Sequence, residues 1–192
     1  MSKGLLLTLV IIGVIVFFGF GFFMWGTGVY DNAIQSQEKV NAEFADVQAT
    51  YQRRADLIPN LVSTVKGAAE NERKILTEVT QARAGIVGAK TPEDLDIAGR
   101  RINTAINLAF EAYPQIRSTE NFQNLQAQLE GTENRINVAR QRYNDAVRGY
   151  NSYVRGYFKR MALSMFGSGE DFSPRTGFQA AAGSENAPKV GF

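Results

Sequence analysis

Leu5 to Trp25 is a run of 21 residues without a charge, and Thr8 is its single polar side chain. As a helix it measures about 32 Å at 1.5 Å per residue, enough to cross the hydrocarbon core of a bilayer. Leu5, Ile12 and Phe18 lie along its length. Trp25 and Tyr30 stand at its downstream edge, where amphipathic aromatics prefer the interface. A cleaved signal peptide would need a shorter apolar region and an Ala-x-Ala site before Tyr30, and neither is present. The run therefore reads as a retained N-terminal membrane anchor, residues 1–27 with the span at about 5–25. Gly13, Gly19, Gly21, Gly26 and Gly28 read as ordinary membrane-helix glycines; no pair has GxxxG spacing, so no contact is assigned to them.

Orientation rests on few charges. Lys3 and the terminal amine precede the span, and Lys39 is the first basic residue after it. The positive-inside bias puts the N-terminus in the cytoplasm and the rest of the chain on the periplasmic or extracellular side. The opposite arrangement stays open, because the short tail before Leu5 can itself cross.

The rest of the composition narrows the chemistry. The sequence contains no Cys and no His. That removes disulfides, thiolate nucleophiles, the usual general base near neutral pH and the commonest metal ligand. Serine triads, zinc hydrolysis and the Glu-x-x-His di-iron bundle go with them. With 21 Lys and Arg against 19 Asp and Glu, the net charge of +2 makes no electrostatic case for nucleic acid. A non-enzymatic chain is expected, with no cofactor, metal or small-molecule substrate.

Downstream of the span the pattern is helical. Tyr30, Ile34, Gln37, Asn41, Phe44, Gln48, Tyr51, Ala55, Ile58, Val62, Val65, Ala69, Glu72, Leu76 and Val79 step by four and three. Ala33, Val40, Val47, Leu61, Ala68, Ile75 and Ala82 form a flanking stripe. The phase passes through Pro59 unbroken, which predicts one kinked helix over about 28–88 that reaches at least Ala82. Thr91 as N-cap, Pro92 in the first turn, and Glu93 and Asp94 on the helix dipole start a second helix, 92–113. Leu95, Ala98, Ile102, Ala109 and Tyr113 mark its apolar face, and Pro114 ends it. Ser118 or Thr119 then caps a third helix, 119–166. Its Phe122, Leu125, Leu129, Thr132, Ile136, Ala139, Tyr143, Ala146, Tyr150, Tyr153 and Tyr157 alternate by three and four, as in a coiled coil. The fold class is all-α: a transmembrane helix followed by an extended rod-like antiparallel bundle over 28–166, then a polar, Gly-containing tail over 167–192.

The segment Arg53–Val62 with its DLIPNLV core, Val65-Lys66-Gly67 and Ala82-Arg83-Ala84 resembles the LemA family. So do Glu111-Ala112-Tyr113-Pro114, Glu120-Asn121-Phe122 with Leu125-Gln126, and Thr132–Ile136 with Ala139-Arg140. The run Tyr143–Val147 and the ending Pro188-Lys189-Val190-x-Phe192 also match, so the likeness covers nearly everything after the anchor. It implies a bacterial inner-membrane protein with a rod of long helices and no established catalysis; some relatives are associated with organising membranes, others are encoded beside membrane stress proteins. Two departures stand out. Asn71 occupies a position where relatives carry His before Glu72, so no metal site is carried over. Gly156-Tyr157-Phe158-Lys159 lacks a proline that relatives show nearby, which implies a straighter third helix.

Candidate functional residues are weighed against ordinary structural roles. Arg53 and Asp56, three apart, suit a surface salt bridge better than a recognition patch. Glu70 and Glu72 diverge on a helix and cannot form a dyad; Glu72, on the seam, needs a partner if buried. Phe44, Tyr51, Phe122, Leu129, Ile136, Tyr143, Tyr150 and Tyr157 form the candidate core or assembly seam. The tyrosines among them serve equally as core or as a docking surface for another subunit. Arg155, Lys159 and Arg160 are either a solvated face or a contact for anionic lipid headgroups. Phe172, Phe178, Val190 and Phe192 give the tail apolar points with no periodicity. A rod about 90 Å long with stripes wider than one helix can cover favours self-assembly, hence a homo-oligomeric membrane scaffold. The alternative is a monomeric tether that presents the rod to a membrane protease, channel or other envelope partner. Membrane lipid is the partner common to both.

Overall fold

The computed structural model describes residues 3–64, 69–112, 120–167 and 172–179, and within these the side chains of 3, 60–64, 69–72 and 120–122 lie outside the description. The described residues are all-α: α1 (Lys3–Thr64), α2 (Ala69–Gly88), α3 (Pro92–Ala112), α4 (Glu120–Val154) and α5 (Tyr157–Phe166). They divide into two units. One holds residues 1–41 and 146–175, the other 42–145 and 176–192, so α1, α4 and the C-terminal segment each contribute to both.

In the second unit the helices alternate in direction. Arg83 of α2 pairs with Asp56 of α1, and Gln48 of α1 reaches Ile86 and Ala89 near the end of α2, so the two run antiparallel. Gln81 pairs with Arg101, and Gly85 lies against Ala98, which sets α2 against α3 in the same way. Glu133 of α4 pairs with Arg54, while Tyr143 packs on Phe44 at 5.6 Å; this places α4 antiparallel to α1. The result is an up-down-up-down bundle. It corrects the expectation of one helix over 28–88. The helix does pass through Pro59, but α1 stops at Thr64 and α2 returns alongside it. The four-three phase survives the joint because both helices turn their stripes toward one core. Gly67 is the single breaker in a joining segment, 65–68, that lies outside the described residues.

The core of this unit is built from Val47, Ala55 and Ile58 of α1, Ile75, Val79 and Ile86 of α2, Leu95, Ile102 and Ala105 of α3, and Leu129 and Ile136 of α4. On α1 the inward face is the flanking stripe Ala33, Val40 and Val47, whereas Ile34 and Asn41 are exposed. Seven-residue spacing keeps that stripe on one side of a supercoiled helix, and its small residues admit close packing. Gly99 meets the same demand on α3: a Cβ there would come within 2.7 Å of the Tyr51 ring. Gln48 donates its amide to the Ile86 and Ala89 carbonyls at 3.1 and 3.0 Å, satisfying acceptors that the end of α2 leaves free.

α3 begins as its sequence signals. Thr91 Oγ1 accepts from the Asp94 N–H at 3.2 Å, and the Asp94 carboxylate accepts from the Lys90 and Thr91 N–H groups at 3.0 Å each. This reciprocal arrangement is a capping box with Asp in the acidic position. The backbone donors, led by that of Lys90, hold the Asp94 carboxyl below its ordinary pKa. Thr91→Ala is expected to lower the unfolding free energy by about 1 kcal/mol, read from urea unfolding in mild detergent. The expected caps Ser118 and Thr119, together with Tyr113 and Pro114, lie outside the described residues, as does the Glu72 side chain.

The third expected helix divides in two. α4 ends at Val154, Gly156 takes φ −59° and ψ 130°, and α5 follows. A ψ near 130° is incompatible with helical propagation, so the chain changes direction without needing a proline. The seven-residue phase is lost there, and this decides where Tyr157 points.

Candidate functional site

α1 carries the apolar span into the first unit. Leu5, Ile12, Phe18 and Trp25 are all exposed, as is every residue from Leu5 to Met24. The helix is long and apolar enough to cross a membrane. At the downstream edge of the span the cover begins. Gly26 is buried because the Phe166 ring of α5 sits where a Cβ would be. The same ring lies 6.2 Å from Phe22 and 5.8 Å from Phe23. One glycine taken as ordinary is thus the seat of an aromatic contact.

The tyrosines divide at the helix break. Tyr143 and Tyr150 are buried, Tyr153 is half-buried, and Tyr157 is 78% exposed and outside the core of this chain. Tyr51, Leu129 and Ile136 are buried, and Phe44 is half-buried. The Phe122 side chain lies outside the description. Arg155 and Arg160 are exposed, while Lys159 is half-buried with its ammonium 3.8 Å from the centre of the Tyr153 ring. Burial raises the Tyr150 and Tyr153 hydroxyl pKa values, so both hydroxyls stay protonated donors.

What covers Tyr143 and Tyr150 is the chain's own C-terminal segment, not a neighbouring subunit. In the first unit the Tyr150 hydroxyl donates to the Ser173 carbonyl at 3.2 Å. Next to it the Asn151 amide takes both backbone groups of Arg175, accepting from N–H at 2.9 Å and donating to C=O at 2.8 Å. Phe172 closes against Tyr30 with ring centres 5.4 Å apart. In the second unit the pattern repeats. Tyr143 donates to the Thr176 carbonyl at 3.0 Å, and Asn144 holds Phe178 by N–H at 2.8 Å and C=O at 3.1 Å. Phe178 packs edge-on to Tyr143 at 5.4 Å. A signal for this was present in the sequence as two Tyr-Asn pairs seven residues apart, Tyr143-Asn144 and Tyr150-Asn151.

Arg140 organises the second unit's flank. Its guanidinium pairs with Asp96, donates to the Tyr51 hydroxyl at 2.6 Å and lies 4.7 Å from the centre of the Phe178 ring. Arg54 pairs with Glu133 nearby, and burial lowers its pKa. Asp56, expected to pair with Arg53, instead takes Arg83 and Gln52. An open cleft of about 770 Å³ runs past Tyr51, Arg54, Asp96, Glu133 and Arg140. Four of its charges are already engaged in pairs, Arg54 with Glu133 and Arg140 with Asp96. Among the described residues no group of three or more His, Cys, Asp or Glu gathers to hold a metal.

A family profile described as the LemA family matches residues 43–192, from the bundle portion of α1 to the C-terminus. The chain belongs to the LemA family. Comparison with curated proteins found no match. In this LemA-family chain the matched region takes in the bundle, the Arg140 cluster and both Tyr-Asn clamps, whereas the apolar span lies upstream of it.

Proposed function

We propose that this LemA-family protein is a non-enzymatic, single-pass tether of the bacterial inner membrane that holds a pre-built helical bundle at the bilayer for an envelope partner. The observation that carries this is a contrast in cover. The bundle's apolar stripes are buried by the chain's own helices, while every residue of the span from Leu5 to Met24 is exposed. Apolar surface of that length, uncharged and helical, is matched to lipid. The argument for self-assembly weakens for the same reason, since α2, α3, α4 and the C-terminal segment already cover the seam. The positive-inside count favours the bundle on the periplasmic or extracellular side, with Arg155 and Arg160 free for anionic headgroups.

A second reading, the self-assembling homo-oligomeric scaffold, keeps one supporting observation: Val87 on α2 is 79% exposed and Ile97 on α3 is 43% exposed. Mass in mild detergent separates the two readings. The tether predicts a monomer plus its detergent belt across accessible concentrations. A defined higher mass that survives dilution would replace the tether with the scaffold.

A further inference from the structure

α5 has three faces. At about 100° per residue, Ala162, Leu163 and Phe166 share one side, Arg160 and Ser164 another, and Tyr157, Phe158, Met161 and Met165 fall within a single arc about 100° wide. The first side is turned inward: Ala162 and Leu163 are buried, and Phe166 seats on Gly26. The third is turned out. Tyr157, Phe158, Met161 and Met165 are 78, 65, 43 and 64% exposed, so a row of large apolar side chains faces away from the protein. Helices that bury one apolar face normally present charge on the other. This one presents a second apolar face.

We propose that α5 is a second membrane-contacting element, a helix seated in the headgroup–acyl boundary with Tyr157, Phe158, Met161 and Met165 in contact with lipid chains. The proposal rests on the reading of Leu5–Trp25 as a membrane span. Three observations carry it. First, α5 is seated on the span itself, because Phe166 on its inward face packs on Phe22 and Phe23. Phe22 lies about 26 Å along the helix from Leu5, near the downstream edge of a hydrocarbon core about 30 Å thick. Second, α5 has 10 residues and measures about 15 Å, too short to cross but suited to lying in the interface. Third, Arg160 lies on α5 beside the apolar arc and Arg155 just precedes the helix, and both are exposed, the placement that anionic headgroups favour. Lipid is the occupant because it already surrounds the residues on which α5 is seated.

The test uses single cysteines in the full-length, naturally cysteine-free chain, each carrying an environment-sensitive fluorophore. The protein is reconstituted into phosphatidylcholine–phosphatidylglycerol vesicles with or without acyl-chain bromination. Met161→Cys and Met165→Cys are expected to emit to the blue and to lose most of their emission in the brominated vesicles. Ala84→Cys, exposed on α2, is expected to do neither. A water-like spectrum without quenching at the two α5 sites would overturn the proposal. Blue emission without quenching would overturn it equally, because protein rather than lipid then covers the face. Phe18→Cys separates the underlying reading: quenched while the α5 sites are not, it leaves the anchor standing; unquenched, it removes the anchor as well.

Discussion

Tyr150→Ala is expected to destabilise the protein by about 2 to 4 kcal/mol, because truncating a large buried aromatic leaves a cavity its neighbours fill only in part. Tyr150 is 1% exposed and is among the largest fully buried side chains of the molecule. Its hydroxyl also holds the Ser173 carbonyl, so the substitution loosens the C-terminal segment in addition to hollowing the core. Tyr150→Phe isolates the second effect: it keeps the ring, removes the hydroxyl's bonds to the Ser173 carbonyl and the Arg175 side chain, and should cost about 1 to 2 kcal/mol. Urea unfolding of the full-length protein in mild detergent, followed by circular dichroism, measures both. If the alanine variant unfolds with the parent, the burial of this ring contributes nothing and the α4 core is wrongly drawn.

Arg140→Ala is expected to cost about 2 to 3 kcal/mol. Breaking a fully buried pair costs about 3 to 5 kcal/mol, and this one is discounted because its side chains retain some exposure. Arg140 and Asp96 are 27% and 29% exposed, so a charge left without its partner keeps partial contact with water. The guanidinium meanwhile touches α1 through Tyr51, α3 through Asp96 and the C-terminal segment through Phe178. Lysine cannot make those contacts together, since its ammonium is compact and lacks a planar fork. Arg140→Lys should therefore recover less than half of the loss. A double-mutant cycle with Asp96→Ala should be non-additive by about 1 kcal/mol or more, as contacting residues are. Additive losses would show the pair to be energetically idle.

These two residues also mark what the sequence did and did not disclose. Tyr150 lies on a heptad pattern with Leu129, Ile136 and Tyr143, and a repeating inward face is legible because period and burial share one cause. The Thr91-Pro92 start was legible for a similar reason: capping chemistry is local. The span was plain from charge alone. Arg140 was not legible as a hub, since its partners come from three remote segments and leave no spacing. The reversal between α1 and α2 was hidden by a stripe that stays in phase across the joint. The break at Gly156 was missed because it needs one residue with non-helical ψ and no sequence cluster. Gly26 looked idle because its contact, Phe166, is far along the chain.

The two asparagine clamps grip main chain, never side chain. Asn144 and Asn151 are seven residues apart on α4, and the residues they hold, Phe178 and Arg175, are three apart on an extended segment. Each clamp, within its own unit, reads the N–H and C=O of one residue, whichever side chain that residue carries. The side chains of Ser173 and Thr176 take no part in these backbone hydrogen bonds, whereas that of Arg175 also reaches the Tyr150 hydroxyl. Proline is harmless at its present place, Pro174, but at 175 or 178 it would erase a donor that a clamp requires. Gly177 is fixed by the same clamp, because any Cβ there would come within 2.7 Å of Asn144 Oδ1.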